Sequence, residues 1–321
     1  MTKTKKVKRI VAQTGEKTIK EMFEDFQLNN QIKNLSDMTI RFYEQNLVHF
    51  FRFLEDVAIT NVSEIDNHVV EQYILEMKRR RLKDTTINTY LRAARALLYF
   101  GMNQGYINKF EINLIKADKE QKEPYSQEDI KKLIKKPNLR TCGFVEHRNW
   151  VIVNYLLETG NRLNTILNIL VGDIDLENGM VIMTKTKNRK AQYNPISENL
   201  VKVLIEYIRM YRLKKDEYLF INEYGEQMTR NSMQHAIARY NKNRGVDITS
   251  IHAFRHTFAK HYITSGGDAF KLQRLLGHST LDVTLNYVNL YSEDLKKDFN
   301  KHSILANFSE NTRMKRGRKS F

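Results

Sequence analysis

A mainly α-helical chain with a small β-sheet is what this sequence predicts, on three observations. Helix breakers are scarce, with 3 prolines and 13 glycines in 321 residues; inside a helix glycine costs roughly 1 kcal/mol and proline about 3. Apolar residues recur at i, i+3, i+4 and i+7 through most of the chain, the period of one helix face. Two short stretches break that period and read as strands: Gly179 to Thr184 (GMVIMT) and Gln192 to Ile196 (QYNPI).

Residues 1–16 carry Lys3, Lys5, Lys6, Lys8 and Arg9 with little apolar periodicity. They form a solvated basic tail, which is compatible with non-specific phosphate contacts. Helical patterning starts at Thr18, with Ile19, Met22, Phe23 and Phe26 on one face. A second helix starts near Asp37 and turns Phe42, Leu47, Phe50, Phe51 and Leu54 inward. A third runs from about Asp66 to Arg80, and a fourth opens after Asp84-Thr85-Thr86 and continues to Gly101 or beyond. Four amphipathic helices with short connections make a bundle over residues 17–112. Between the third and fourth lies Lys78-Arg79-Arg80-Arg81-Leu82-Lys83, a run of like charges that is either a solvated helix end or a contact for a polyanion. Thr85, Thr86, Asn88 and Arg92 follow, residue types suited to phosphate and base-edge contacts at a helix start.

Residues 113–125 (NLIKADKEQKEPY) are polar, charged and include Pro124, which marks a linker. A second domain spans 126–303. Ser126 with Asp129 opens its first helix, which ends at Lys135-Lys136-Pro137. Trp150 to Leu157 (WVIVNYLL) is a buried helix, and Thr159-Gly160-Asn161-Arg162 turns into another with Leu163, Ile166, Leu167 and Leu170 at helical spacing. The two strands are joined by the basic turn Lys185 to Lys190. Ser197 to Arg212 is a helix, Tyr218 to Ile221 a strand or buried turn, and Thr229-Arg230 opens a helix to about Asn241 with Arg230, Arg239 and Lys242 as phosphate contacts. Tyr291, Leu295 and Phe299 place an apolar stripe on a helix from about Tyr291 to Lys301, and residues 304–321 form a second basic tail.

A formal net charge of +16 and a pI near 9.6 call for a polyanionic partner. Nucleic acid is the stronger choice over an anionic membrane, because no run of about 18 apolar residues occurs and the N-terminus lacks an apolar signal core. The single cysteine, Cys142, excludes an internal disulfide and fits a cytoplasmic protein. No P-loop pattern is present, so a nucleotide-driven reaction is not expected.

The chemistry concentrates between Ile251 and Tyr291. His252-Ala-Phe-Arg255-His256 is followed by Leu276-Gly277-His278-Ser279, and Tyr287 comes nine residues after His278. A guanidinium offers phosphate a fixed fork of donors, an imidazole donates or moves protons, and a tyrosine can be a covalent nucleophile. His252 and His256, four apart, also have zinc-ligand spacing, but Ala253 stands where the H-E-x-x-H motif needs its glutamate, so no metal and no cofactor is expected.

In order and spacing this set resembles the second signature box of the tyrosine recombinases, the phage-integrase family. Thr159-Gly160-Asn161-Arg162 resembles the first box, with Thr165 where the family usually has glutamate. The resemblance covers roughly residues 18 to 300. It implies a SAM-like helical core-binding domain over 17–112 that grips DNA, and a catalytic domain over 126–303; the charge and helix-start residues Arg79, Arg81, Lys83, Thr85, Thr86, Asn88 and Arg92 are the candidate contacts in the first. It implies catalytic roles for Arg162, Lys187, His252, Arg255, His278 and Tyr287, with Lys187 delivered by the hairpin turn and Lys185 as its alternative, and a secondary role for His256. It implies integration or excision of mobile or phage DNA, partners in the form of duplex DNA with paired half-sites, a homotetramer on two sites, and an accessory bending or directionality factor. A type IB topoisomerase and a regulator that has lost catalysis are the other readings of the same residues.

Overall fold

The computed structural model describes residues 17–118, 123–183 and 192–290. The chain divides between Glu120 and Gln121 into two units, each with its own core.

The first unit consists of α1 (Ile19–Ile32), α2 (Asp37–Asp56), α3 (Asn67–Arg79) and α4 (Asp84–Gln104). Each start follows from its cap. Thr18 makes a reciprocal capping box with Glu21, Ser36 accepts from Thr39, and Asp66 Oδ1 accepts the Val69 amide at 3.0 Å. Met22, Phe26, Leu47, Phe50, Leu54, Val70, Tyr73, Leu91 and Leu97 fill the interior, each large side chain contributing about 1.5–3 kcal/mol on burial. Phe53 joins them, whereas Phe42 and Phe51 are only half-buried.

Two sequence expectations change here. Asn88 is no surface contact: it is buried, and its amide spans the Ile115 backbone, donating to the carbonyl at 2.8 Å and accepting from the N–H at 3.0 Å. The expected linker is also too long. Leu114 and Ile115 pack on the first core, and Tyr125 is buried in the second. The apolar side chains at both ends of that stretch thus belong to the two cores, where burial stabilises them.

The second unit comprises α5 (Gln127–Ile134), α6 (Phe144–Thr159), α7 (Leu163–Leu167), an antiparallel sheet β1 (Ile174–Asp175), β2 (Met180–Met183) and β3 (Gln192–Pro195), then α8 (Glu198–Tyr211), α9 (Arg230–Asn243), α10 (Ile251–Thr264), α11 (Ala269–Leu276) and α12 (Asp282–Leu290). Helix α6 is apolar through its middle and is the axis of this unit, with Val151, Ile152, Val153, Tyr155 and Leu156 wholly buried. Strand β2 pairs with β3 in the register Val181↔Asn194 and Ile182↔Tyr193. The two-residue β1, too short to carry a periodic signal, completes the sheet. Tyr218 and Ile221 form isolated bridges, to Leu170 and Gln227.

Tyr125 fastens the start of the unit to α10. Its backbone N–H donates to Thr257 Oγ1 at 2.9 Å, its hydroxyl bonds Asn241, and its ring lies 4.6 Å from that of Phe254. The hairpin turn with Lys185 and Lys187, the apolar stripe beyond Leu290 and both basic tails lie outside the described residues.

Candidate active site

The site is built around the C-terminal end of α11. Helix α6 stops at Gly160, which takes a left-handed conformation (φ 58°) and releases the chain towards Arg162, the N-cap of α7. A Cβ at Gly160 would meet Phe258 at 2.6 Å, so the turn can sit against α10 only because it has no side chain. Helix α11 stops at Gly277 (φ 61°), where the chain turns to present His278.

Two guanidiniums converge on this end. Arg162 Nη1 donates to the carbonyls of Leu276 (3.1 Å) and Gly277 (3.0 Å). Arg255, one turn into α10 and 6% exposed, donates from Nη1 to Gly160 O (2.9 Å) and from Nη2 to Leu276 O (2.8 Å). Both therefore share the Leu276 carbonyl, and among the described residues no carboxylate lies in ion-pair range of either. The negative end of the α11 dipole stands in for a counter-ion. The cost of burying these charges appears in their acidity. Burial, reinforced by Arg162, lowers Arg255 to about 10, and burial also lowers Arg162. Two desolvated cations side by side make a strong site for an added anion.

Tyr287 completes the cluster from α12. It is 7% exposed, and its ring lies 6.3 Å from that of His278, nearly parallel at 3°. The His256 ring is 5.5 Å away. Burial raises the Tyr287 phenol, while the charge and hydrogen bond of Arg255 and the charge of Arg162 pull it down. His278 is held by Thr284, whose Oγ1 is 2.8 Å from Nδ1. Burial and then the two arginines push His278 down to about 4, so it is neutral at pH 7.

Of the residues singled out from sequence, Arg162, Arg255, His278 and Tyr287 are brought together. His252 is exposed at the start of α10, where it lines a cavity of about 220 Å³ with Leu163, Gln234, His235, Ala238, Thr249, Ser250 and Ile251. His256, expected to be secondary, packs on Tyr287. Thr284 is not among the residues singled out from sequence; it lies three residues before Tyr287, one turn away on α12. In the first unit Arg79, Arg81, Lys83, Thr85 and Arg92 are exposed and Thr86 is half-buried. Arg230 and Arg239 are exposed on α9, with Arg230 bonded to Asn164 at 3.1 Å.

Residues 124–294 match the family model described as "Phage integrase family", and residues 26–105 match "Phage integrase, N-terminal SAM-like domain". The chain belongs to the phage integrase family. It is a tyrosine-type recombinase, an enzyme that breaks and rejoins DNA. It is 27% identical over 282 residues to the tyrosine recombinase XerC of Bacillus pumilus, covering 84% of this chain and 92% of that one. It is 25% identical over 278 residues to XerD of Staphylococcus haemolyticus, covering 84% and 93%. In fold it is similar to the Tn1549 transposon integrase solved in complex with transposon right end DNA, with a TM-score of 0.70, 20% identity, and coverage of 87% and 99%. A lambda integrase dimer bound to a core site gives a TM-score of 0.64 at 14% identity, covering 83% and 96%. Among the described residues no helix is long and apolar enough to cross a membrane.

Proposed function

We propose that this recombinase is site-specific, works through a covalent 3′-phosphotyrosine, and integrates or excises mobile or phage DNA. The observation that carries the reading is the meeting of two desolvated guanidiniums, with no carboxylate beside them among the described residues, next to a buried phenol.

The Tyr287 oxygen attacks the scissile phosphorus, the bond from phosphorus to the 5′ oxygen breaks, and the phosphate stays on the enzyme. Arg162 and Arg255 hold the charge that grows on the non-bridging oxygens, which is where a preorganised donor gains most. His278, neutral, contributes a further donor through Nε2–H while its Nδ1 accepts a hydrogen bond from the Thr284 hydroxyl. Because the phenol is held above its ordinary range, its proton must leave during attack to one imidazole of α10, either His252 or His256, whose ring lies 5.5 Å from that of Tyr287. The departing 5′ oxygen takes a proton from Lys187 of the hairpin turn, Lys185 being the alternative. The phosphotyrosine bond conserves the energy of the broken linkage, so a 5′ hydroxyl of another strand can reverse the step. Exchange between strands requires paired half-sites, and a tetramer on two sites is the assembly proposed, with an accessory bending or directionality factor setting its direction.

The test starts from half-sites that the full chain enriches from a random duplex pool, built into a nicked substrate whose cut strand cannot be religated. The wild-type chain should become covalently attached, and Tyr287→Phe should bind equally well and form no adduct. An adduct with Tyr287→Phe would refute the nucleophile. Relaxation of supercoiled DNA without a preferred site would replace recombination by topoisomerase activity.

A further inference from the structure

The end of α11 is held from a second side, by residues that the proposed chemistry does not use. Strand β3 sends two amide side chains to it. Gln192 Nε2 donates to the carbonyls of Arg274 (2.9 Å) and Leu275 (2.6 Å), and Asn194 Nδ2 donates to Leu275 O (2.9 Å). Asn194, 1% exposed, also reaches Asn161 Oδ1 at 3.3 Å, directly before Arg162 in the chain, and Asn161 in turn donates to the Tyr155 hydroxyl at 3.0 Å. Four successive carbonyls, from Arg274 to Gly277, thus accept from two amides and two guanidiniums. The fit is close: a Cβ at Gly277 would stand 2.6 Å from Gln192 Oε1.

The physical consequence concerns the arginines. Helix α11 has only eight residues, and the last carbonyls of a helix have no partner within it. With external donors only on the guanidinium side, its last turn would be free to tilt towards the cations. The β3 amides pull from the other side and fix where Leu276 O and Gly277 O stand. Those two oxygens determine where Arg162 and Arg255 present their remaining donors.

We propose that Gln192 and Asn194 are positioning residues for the anion clamp, acting on the scissile phosphate through the carbonyls of α11. The inference rests on the reading that Arg162 and Arg255 neutralise that phosphate.

The experiment uses the full chain and the nicked substrate described above, in two forms: an ordinary scissile phosphate, and a methylphosphonate that carries no negative charge there. Gln192→Met keeps the length of the side chain and removes its donors, and because the position is only half-buried the variant should fold, with a thermal midpoint close to that of the wild type. On phosphate its cleavage rate should fall by about 10- to 100-fold, the scale of a misplaced catalytic geometry, with half-site affinity unchanged. On methylphosphonate, where less charge needs the clamp, the loss should shrink to a few-fold. Equal losses on both substrates, no loss on either, or a protein that does not fold would each overturn the proposal, since the amide would then be irrelevant to the clamp or would serve the whole domain. Arg162→Ala and Arg255→Ala, assayed alongside, test the underlying reading separately. If methylphosphonate does not relieve them, the clamp itself is wrong, whatever Gln192→Met does.

Discussion

At the scale of single residues the decisive unit is His278 with Thr284. A neutral imidazole donates from Nε2 only if Nδ1 accepts, and the Thr284 hydroxyl at 2.8 Å is its partner there. Thr284→Val keeps the shape and removes that partner, so cleavage should fall by up to about 100-fold, and Thr284→Ser should restore it. Equal loss in both variants would make the role one of packing. His278 also links stability to pH. Its folded pKa, about 4, lies below the ordinary 6.5, so as pH falls from 6.5 towards 4 the unfolded chain takes up a proton that the folded chain refuses. The contribution is therefore complete above 6.5 and lost by about 4, on the order of 3 kcal/mol. Denaturant titrations at stepped pH should show this fall, and His278→Asn should make it shallower. The buried His147, lowered mainly by its burial, contributes in the same direction and remains in the variant. The family resemblance singled out His278, and Tyr287 by its count of nine residues from His278. It did not reveal Thr284, which resembles any helical threonine, or the inward turn of Asn88, which depends on Ile115 27 residues away.

At the scale of elements, the helices were legible wherever a cap and an apolar period coincided: Thr18 before α1, Ser126 before α5, and Thr229, whose side chain accepts from Ser232 at the start of α9. The sheet was half legible. Strands β2 and β3 appeared as segments of the right composition, but β1 has two residues and exists through its pairing with β2. The fastening of β3 to α11 is a tertiary contact between positions about 80 apart, and no local pattern announces it. The hairpin between β2 and β3 carries the general-acid assignment, and leaving-group chemistry can test it. Sulfur in place of the bridging 5′ oxygen departs without a proton. Cleavage by Lys187→Ala should therefore recover on that substrate to within a few-fold of the wild type, while Lys185→Ala should gain little. Recovery of Lys185→Ala alone would reverse the assignment.

At the scale of the whole molecule, two units with separate cores share an excess of sixteen positive charges. Fold class and the division into two were legible because composition and period are global properties. The extent of the linker was not, because Tyr125 looks like a loop residue until its hydroxyl meets Asn241 and the Ile248 carbonyl. The charge makes a prediction about binding that separates DNA contacts from structural residues. Arg80 is tied to Glu76 at 2.9 Å and lies 3.9 Å from Asp56. Arg81 and Arg92 are exposed, and Thr85 and Arg92, seven apart, share a face of α4. Each lysine or arginine that meets a phosphate releases a counter-ion, and the slope of log affinity against log salt changes by about 0.9 for each such cation removed. Arg81→Ala and Arg92→Ala should each flatten that slope by about one unit, measured by gel shift on a single half-site. Asn88→Ala should leave the slope unchanged and instead lower the unfolding free energy of the first unit by about 1–3 kcal/mol, the cost of stranding the Ile115 backbone groups it satisfies. An unchanged slope in both arginine variants would remove the junction of α3 and α4 from the DNA interface, and a flattened slope in Asn88→Ala would return that residue to it.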